Sequence, residues 1–118
     1  MGSNLSVVNL GSDFSVNDMH LGKRYSCALN PEGAVKCWGY GEWGQLGVTD
    51  GSTDNIGDDV NEMGDNLDQI DLGTSFNVST MGTGFSARTS CAISTELELK
   101  CWGMISIICL CDCLNLSL

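Results

Sequence analysis

Basic residues are scarce. Lys23, Arg24, Lys36, Arg88 and Lys100 are the whole complement, against fifteen Asp plus Glu in 118 residues, for a net charge of −10. Proteins that grip nucleic acid neutralise phosphates with clustered Lys and Arg, so a direct nucleic-acid partner is not expected. Proline occurs once and charged residues make up 17% of the chain, so wholesale disorder is not expected outside the Gly- and Asp-rich middle. His20 is the only histidine, and no Ser or Cys nucleophile sits in a motif that would recruit it as a base. Its expected place is the surface or a sheet edge. No basic segment followed by an apolar run opens the chain, so no cleavable secretory signal is expected. The apolar stretch "MISIICLCDCLNLSL" at the other end is broken by Asp112 and falls short of the about twenty residues a bilayer requires, so no membrane span is expected.

Sustained helical periodicity is also missing, and what replaces it is repetition. Residues 1–22 align with 63–84, and after a two-residue insertion 24–39 align with 88–103, giving 19 identities in 38 positions. The second block pairs "RYSCALNPEGAVKCWG" with "RTSCAISTELELKCWG". Met1 corresponds to Met63, so the chain is expected to begin partway through a unit. The implied organisation is a first repeat over 1–62, a second, truncated repeat over 63–103, and a divergent apolar Cys-rich tail over 104–118. The pattern breaks at Gly103, and the tail is expected to derive from a shifted frame, an unspliced intron or a degraded gene end. The opening "MGSNLS" also fits the myristoylation pattern on Gly2, but the repeat accounts for the same letters.

Within a unit, "YSCALNPEGAVKCWG" reads as a β-hairpin. Pro31 suits the second position of a type I turn and Gly33 a following left-handed position. The resulting register sets Leu29 opposite Val35, Ala28 opposite Lys36 and Cys27 opposite Cys37, the last as a narrow, non-hydrogen-bonded pair. That separation permits a disulfide, and the same holds for Cys91 and Cys101. Both readings stay open: disulfides in an oxidising compartment, or packed thiols in a reducing one. The sequons at Asn4, Asn77 and Asn115 are compatible with secretion. In the second unit Leu97 takes the position of Gly33, which predicts a strained, looser turn. Upstream, "VVNLG" (7–11) and "QIDLG" (69–73) are strand candidates, and "FSV" and "FNV" announce another strand before each hairpin. The fold class is therefore all-β: short antiparallel strands in units that share a core, with Trp38 and Trp102 as wedges in it.

The stretch "SCALNPEGAVKCWGYGEWGQLG" resembles a repeat of the regulator of chromosome condensation family, through Trp38, Gly39, Gly44, Gln45, Leu46 and Gly47; Trp102 and Gly103 restart the motif in the second unit. The paired cysteines make it similar to the Cys-Trp-Gly variant found in Crinkly-type receptor repeats. The resemblance implies a fragment of a β-propeller with under two blades, whose loops bind partners. It implies a non-enzymatic, protein-binding scaffold, completed by further propeller repeats in cis or by oligomerisation. The alternatives are part of a guanine-nucleotide exchange factor for a Ran-like small GTPase, or a disulfide-linked ectodomain repeat of a secreted or receptor protein.

Other motifs carry less. The carboxylates from Asp50 to Asp71 suggest calcium, but an EF-hand frame from Asp50 puts Asn55 where Gly is needed and Asn61 where a bidentate Glu belongs. A solvated loop is expected there. "GYGEWG" (39–44) has the Gly-x-Gly-x-x-Gly spacing without the helix that dinucleotide binding requires. Cys109, Cys111 and Cys113 lack the paired spacing of a zinc site. No cofactor, metal or catalytic residue is expected.

Overall fold

A computed structural model describes residues 2–82 and 88–104. The expectations for the tail, with Cys109, Cys111, Cys113 and Asn115, lie outside the described residues. Among the described residues six strands form two three-stranded antiparallel sheets: β1 (Asp18–Leu21), β2 (Tyr25–Leu29) and β3 (Val35–Gly39), then β4 (Val78–Gly82), β5 (Thr89–Ser94) and β6 (Leu99–Gly103), each sheet in sequence order. No α-helix occurs among the described residues; two single 3-10 turns, Gly2–Asn4 and Gly64–Asn66, occupy equivalent places in the repeat. The architecture is all-β, two successive propeller-type blades stacked sheet against sheet.

Local chemistry explains the hairpins. Asn30 N–H donates to the Ala34 carbonyl at 3.0 Å, and Asn30 Oδ1 accepts from Ala34 N at 2.8 Å, while Gly33 takes φ 86°. The register follows, with Leu29 opposite Val35, Ala28 opposite Lys36 and Cys27 opposite Cys37. The second hairpin repeats it, with Cys91 opposite Cys101 and Ser90 opposite Trp102. Leu97 does adopt φ 68°, yet its turn is closed by Ser94 N to Glu98 O at 2.9 Å and Leu97 N to Ser94 O at 3.0 Å. Ser94 Oγ adds bonds from Glu96 N and Glu98 N, doing for this turn what the Asn30 amide does for the first. The strain is present; the loosening of the turn is not.

The upstream strand expectation is corrected too. Residues 7–11 and 69–73 are not strands. Along the second of these segments the tie to the neighbouring sheet is one backbone bond, Ile70 N to Val35 O at 2.8 Å, too little for a ladder. These segments act instead as apolar covers. Leu10 and Phe14 pack with Ala28 and Leu67 on one face of the first sheet, joined by Ala34, Trp38 and Met63. On its other face Tyr25, Cys27, Leu29, Val35, Cys37 and Leu46 meet Phe76, Val78, Met81 and Ala92 of the second unit in one cluster. This cluster is the shared core the repeat pattern called for.

Candidate functional site

The densest polar construction lies where the two units meet, around Gln45. The loop after β3 turns on Gly44 and Gly47, both in the left-handed region at φ 73° and 67°. A Cβ on Gly47 would stand 3.0 Å from Trp102 Nε1 and 3.0 Å from Ile70 Cγ2, so only glycine lets the second unit approach this closely. Between these glycines Leu46, 3% exposed, enters the shared core. Gln45 is fully buried, and its Oε1 accepts from Trp43 N at 2.9 Å. Its backbone carbonyl accepts from the Trp102 indole N–H at 2.9 Å and hydrogen-bonds with Ser90 Oγ at 3.0 Å. Ser90 Oγ also lies 2.8 Å from the Tyr25 hydroxyl, which donates to Thr89 O at 3.1 Å. Burial pushes the Tyr25 phenol above its ordinary pKa, and the Ser90 bond opposes that shift. Gln45 Nε2 is a buried donor with no partner among the described residues.

The sequence motif residues thus divide between two roles. Gly44, Gln45, Leu46 and Gly47 of the first unit form a seat, and Trp102 of the second unit fills it. Trp38 sits at the equivalent position of the first unit but, contrary to the expectation that it wedges into the shared core, packs on the opposite face of its sheet beside Leu10 and Phe14, because no preceding loop among the described residues receives it. Gly39 and Gly103 close the outer strands in left-handed geometry, at φ 112° and 103°. The thiols of Cys27 and Cys37, and of Cys91 and Cys101, are joined as cross-strand disulfides with Cα separations of 4.1 Å in both pairs. Cys27 and Cys37 face the shared core at 0% and 2% exposure, whereas Cys91 and Cys101 are half-buried on the far face of the second sheet.

Two further devices repeat with the unit. Lys36 Nζ donates to Leu10 O at 2.7 Å and stands 5.2 Å from the Phe14 ring centroid; Lys100 Nζ donates to Leu72 O at 2.6 Å, 4.9 Å from Phe76. Each lysine pins the apolar cover of its own unit to the outer strand. Arg24 and Arg88, also equivalent, lie over Tyr40 and Trp43 at 5.7 and 4.3 Å, and those two rings meet edge-on at 4.7 Å. Sequence reasoning passed over the lysines, although a Lys identical in both units within an otherwise apolar strand was the available signal.

His20 lies on the edge strand β1, paired with Asp18 at 3.2 Å, as its solitary position suggested. In the acidic stretch, Asp58, Asp59 and Glu62 bring carboxylates within 4.8 Å of one another. Glu62 Oε2 is already spent on the loop's own amides, Gly57 N at 2.7 Å and Asp59 N at 3.0 Å, so the group organises a turn. No helix among the described residues is long and apolar enough to cross a membrane.

No family model matches the chain, and no curated protein does. Among solved structures, the crystal structure of human WBSCR16 is similar over 78% of this chain and 20% of that one, at 23% identity and a TM-score of 0.58. The chain therefore spans about one-fifth of that neighbour's length, and what the two share is the fold: paired antiparallel sheets stacked as successive blades.

Proposed function

We propose that the protein is a non-enzymatic, protein-binding scaffold built from propeller repeats of the regulator of chromosome condensation type. The observation that carries this reading is the seat formed by Gln45, Leu46 and Gly47, in which Ser90 and Trp102 of the next unit are held. The polar groups that converge on the Gln45 carbonyl join blade to blade, and among the described residues none of them forms a nucleophile–base pair.

Further repeats complete the scaffold. Val78 and Met81 of the second unit are 4% and 5% exposed against the first sheet, while their equivalents Val16 and Met19 are each 50% exposed. Ser26 and Trp38 stand on the first unit where Ser90 and Trp102 stand on the second. The first unit thus keeps what a preceding blade with its own Gln-Leu-Gly loop would bury. The far face of the second unit differs, since Leu97 replaces Gly33. A Cβ at Gly33 would already lie 2.9 Å from Val78 N, so Leu97 obstructs the equivalent approach of another blade.

A second reading, a secreted or receptor ectodomain repeat, is favoured by the two cross-strand disulfides. Mass spectrometry of the endogenous protein without reduction distinguishes it: both links intact support an oxidising compartment, and free thiols at all four positions remove it. The scaffold reading is tested by photo-crosslinking the full chain in its native extract and by assaying the purified chain for nucleotide release from small GTPases. A saturable crosslink to a protein partner, lost in Trp102→Ala, with no acceleration of release, is the expected result. Accelerated release from a Ran-like GTPase overturns it.

A further inference from the structure

Beside the seat lies a groove of 360 Å³, between the loop after β3 and the segment leading to the second unit. Its apolar wall includes Leu46, Val48 and Ile70, and Asp50, Glu62 and Asp68 stand among its lining residues. No Lys, Arg or His lines it. Asp50 and Asp68 are exposed. Among the described residues Asp68 makes no hydrogen bond or ion pair, Asp50 accepts from Ser52 N at 2.8 Å and Glu62 from the Gly57 and Asp59 amides, and the one ion pair is His20–Asp18. Four of the chain's five Lys and Arg are committed elsewhere, Lys36 and Lys100 to backbone carbonyls and Arg24 and Arg88 to aromatic rings, and Lys23 is not among the groove's lining residues.

An apolar floor beside carboxylates that no cation of the described residues neutralises is complementary to one kind of side chain, an aliphatic stem that ends in a cation. We infer that this groove receives a lysine or arginine side chain from a basic peptide segment of a partner protein, the stem lying along Leu46, Val48 and Ile70 and the charge set among Asp50, Glu62 and Asp68. The volume falls within the about 300–1,000 Å³ of ordinary ligand pockets. The inference rests on the scaffold reading and names the chemistry of its partner.

The test measures fluorescence anisotropy of a labelled Gly-Lys-Leu-Lys-Gly peptide with the full disulfide-bonded chain. Two comparison peptides carry glutamate in place of lysine, or 2,3-diaminopropionic acid, which keeps the charge and removes the stem. Saturable binding of the lysine peptide is expected, at least about tenfold tighter than either comparison peptide. Asp50→Asn with Asp68→Asn is expected to weaken it about tenfold or more, and Asp13→Asn with Glu32→Gln, which removes the same charge outside the groove, by less than about threefold. Absence of saturable binding, equal binding of the short-stem peptide, or equal weakening by the two double variants each overturns the groove assignment. A partner crosslink that survives such a result leaves the scaffold reading standing, so the two failures are separable.

Discussion

The indole N–H of Trp102 donates to the carbonyl oxygen of Gln45 across 2.9 Å and 57 residues of chain. This contact makes the glycine-rich loop of one unit a part of the next unit's core, and it determines which substitutions should separate the blades.

Ser90→Ala removes a hydroxyl that touches both Gln45 O and Tyr25 Oη inside a fully buried site. Its loss should lower unfolding free energy by about 1–2 kcal/mol. Urea denaturation followed by tryptophan fluorescence checks this, and an unchanged midpoint would mean the network contributes nothing net.

Lys36 is 7% exposed and satisfies Leu10 O, whereas Lys100 makes the equivalent bond from an exposed position. Lys36→Met keeps the stem and orphans the carbonyl, for an expected loss of about 1–3 kcal/mol. Lys100→Met should cost clearly less, because water can replace the lost donor. The two thermal midpoints, measured in parallel, should fall in that order.

The two disulfides close loops of equal length, with a sequence separation of 10 in each, but differ in burial. Under mild thiol reductant, timed alkylation and peptide mapping should find Cys91 and Cys101 labelled first. Each link is worth about 2–3 kcal/mol for a loop this short. Simultaneous labelling of both pairs would indicate global unfolding before reduction.

Leu97 sits at φ 68° with its side chain 85% exposed, so it carries backbone strain with little burial in return. Leu97→Gly should raise stability by about 1 kcal/mol. The reciprocal Gly33→Leu should destabilise, since both φ 86° and the nearby Val78 amide oppose a side chain. Equilibrium unfolding of the two variants should shift in opposite directions.

Asp65 accepts from Ser12 N at 2.8 Å and from Ser12 Oγ at 3.1 Å. The Ser12 amide, then its hydroxyl, then the charge of Lys36 hold the Asp65 carboxyl below its ordinary pKa. A depressed folded pKa contributes stability that is present above the unfolded value of about 3.9 and lost as pH falls through the folded one. The Ser12 amide resonance should therefore move in that acid window, and Asp65→Asn should abolish the transition.

How much of this was legible in the sequence depends on the range of the interaction. The hairpin register is fixed by Asn30, Pro31 and Gly33 within a few residues, so turn chemistry gave Cys27 opposite Cys37 correctly. The repeat itself announced two equivalent sheets. Residues 7–11 and 69–73 misled because β-prone composition describes a half-buried apolar surface, and a cover segment such as Leu10 to Phe14 offers one without a ladder. The seat was visible as Gly44, Gln45, Leu46 and Gly47, but its occupant comes from the following unit, a contact that local pattern does not encode. Lys36 was hidden for a related reason: a charged residue reads as solvated until the carbonyl that receives it is known.

Leu97 has a consequence for self-association. Head-to-tail contacts between identical copies do not close unless the rotation does, and otherwise they grow into open filaments. A chain whose leading edge is apolar at Val16 and Met19 would run that hazard if its trailing edge matched it. A Cβ at the equivalent Gly33 would already crowd the Val78 amide, so Leu97 at φ 68° is expected to weaken head-to-tail stacking of copies.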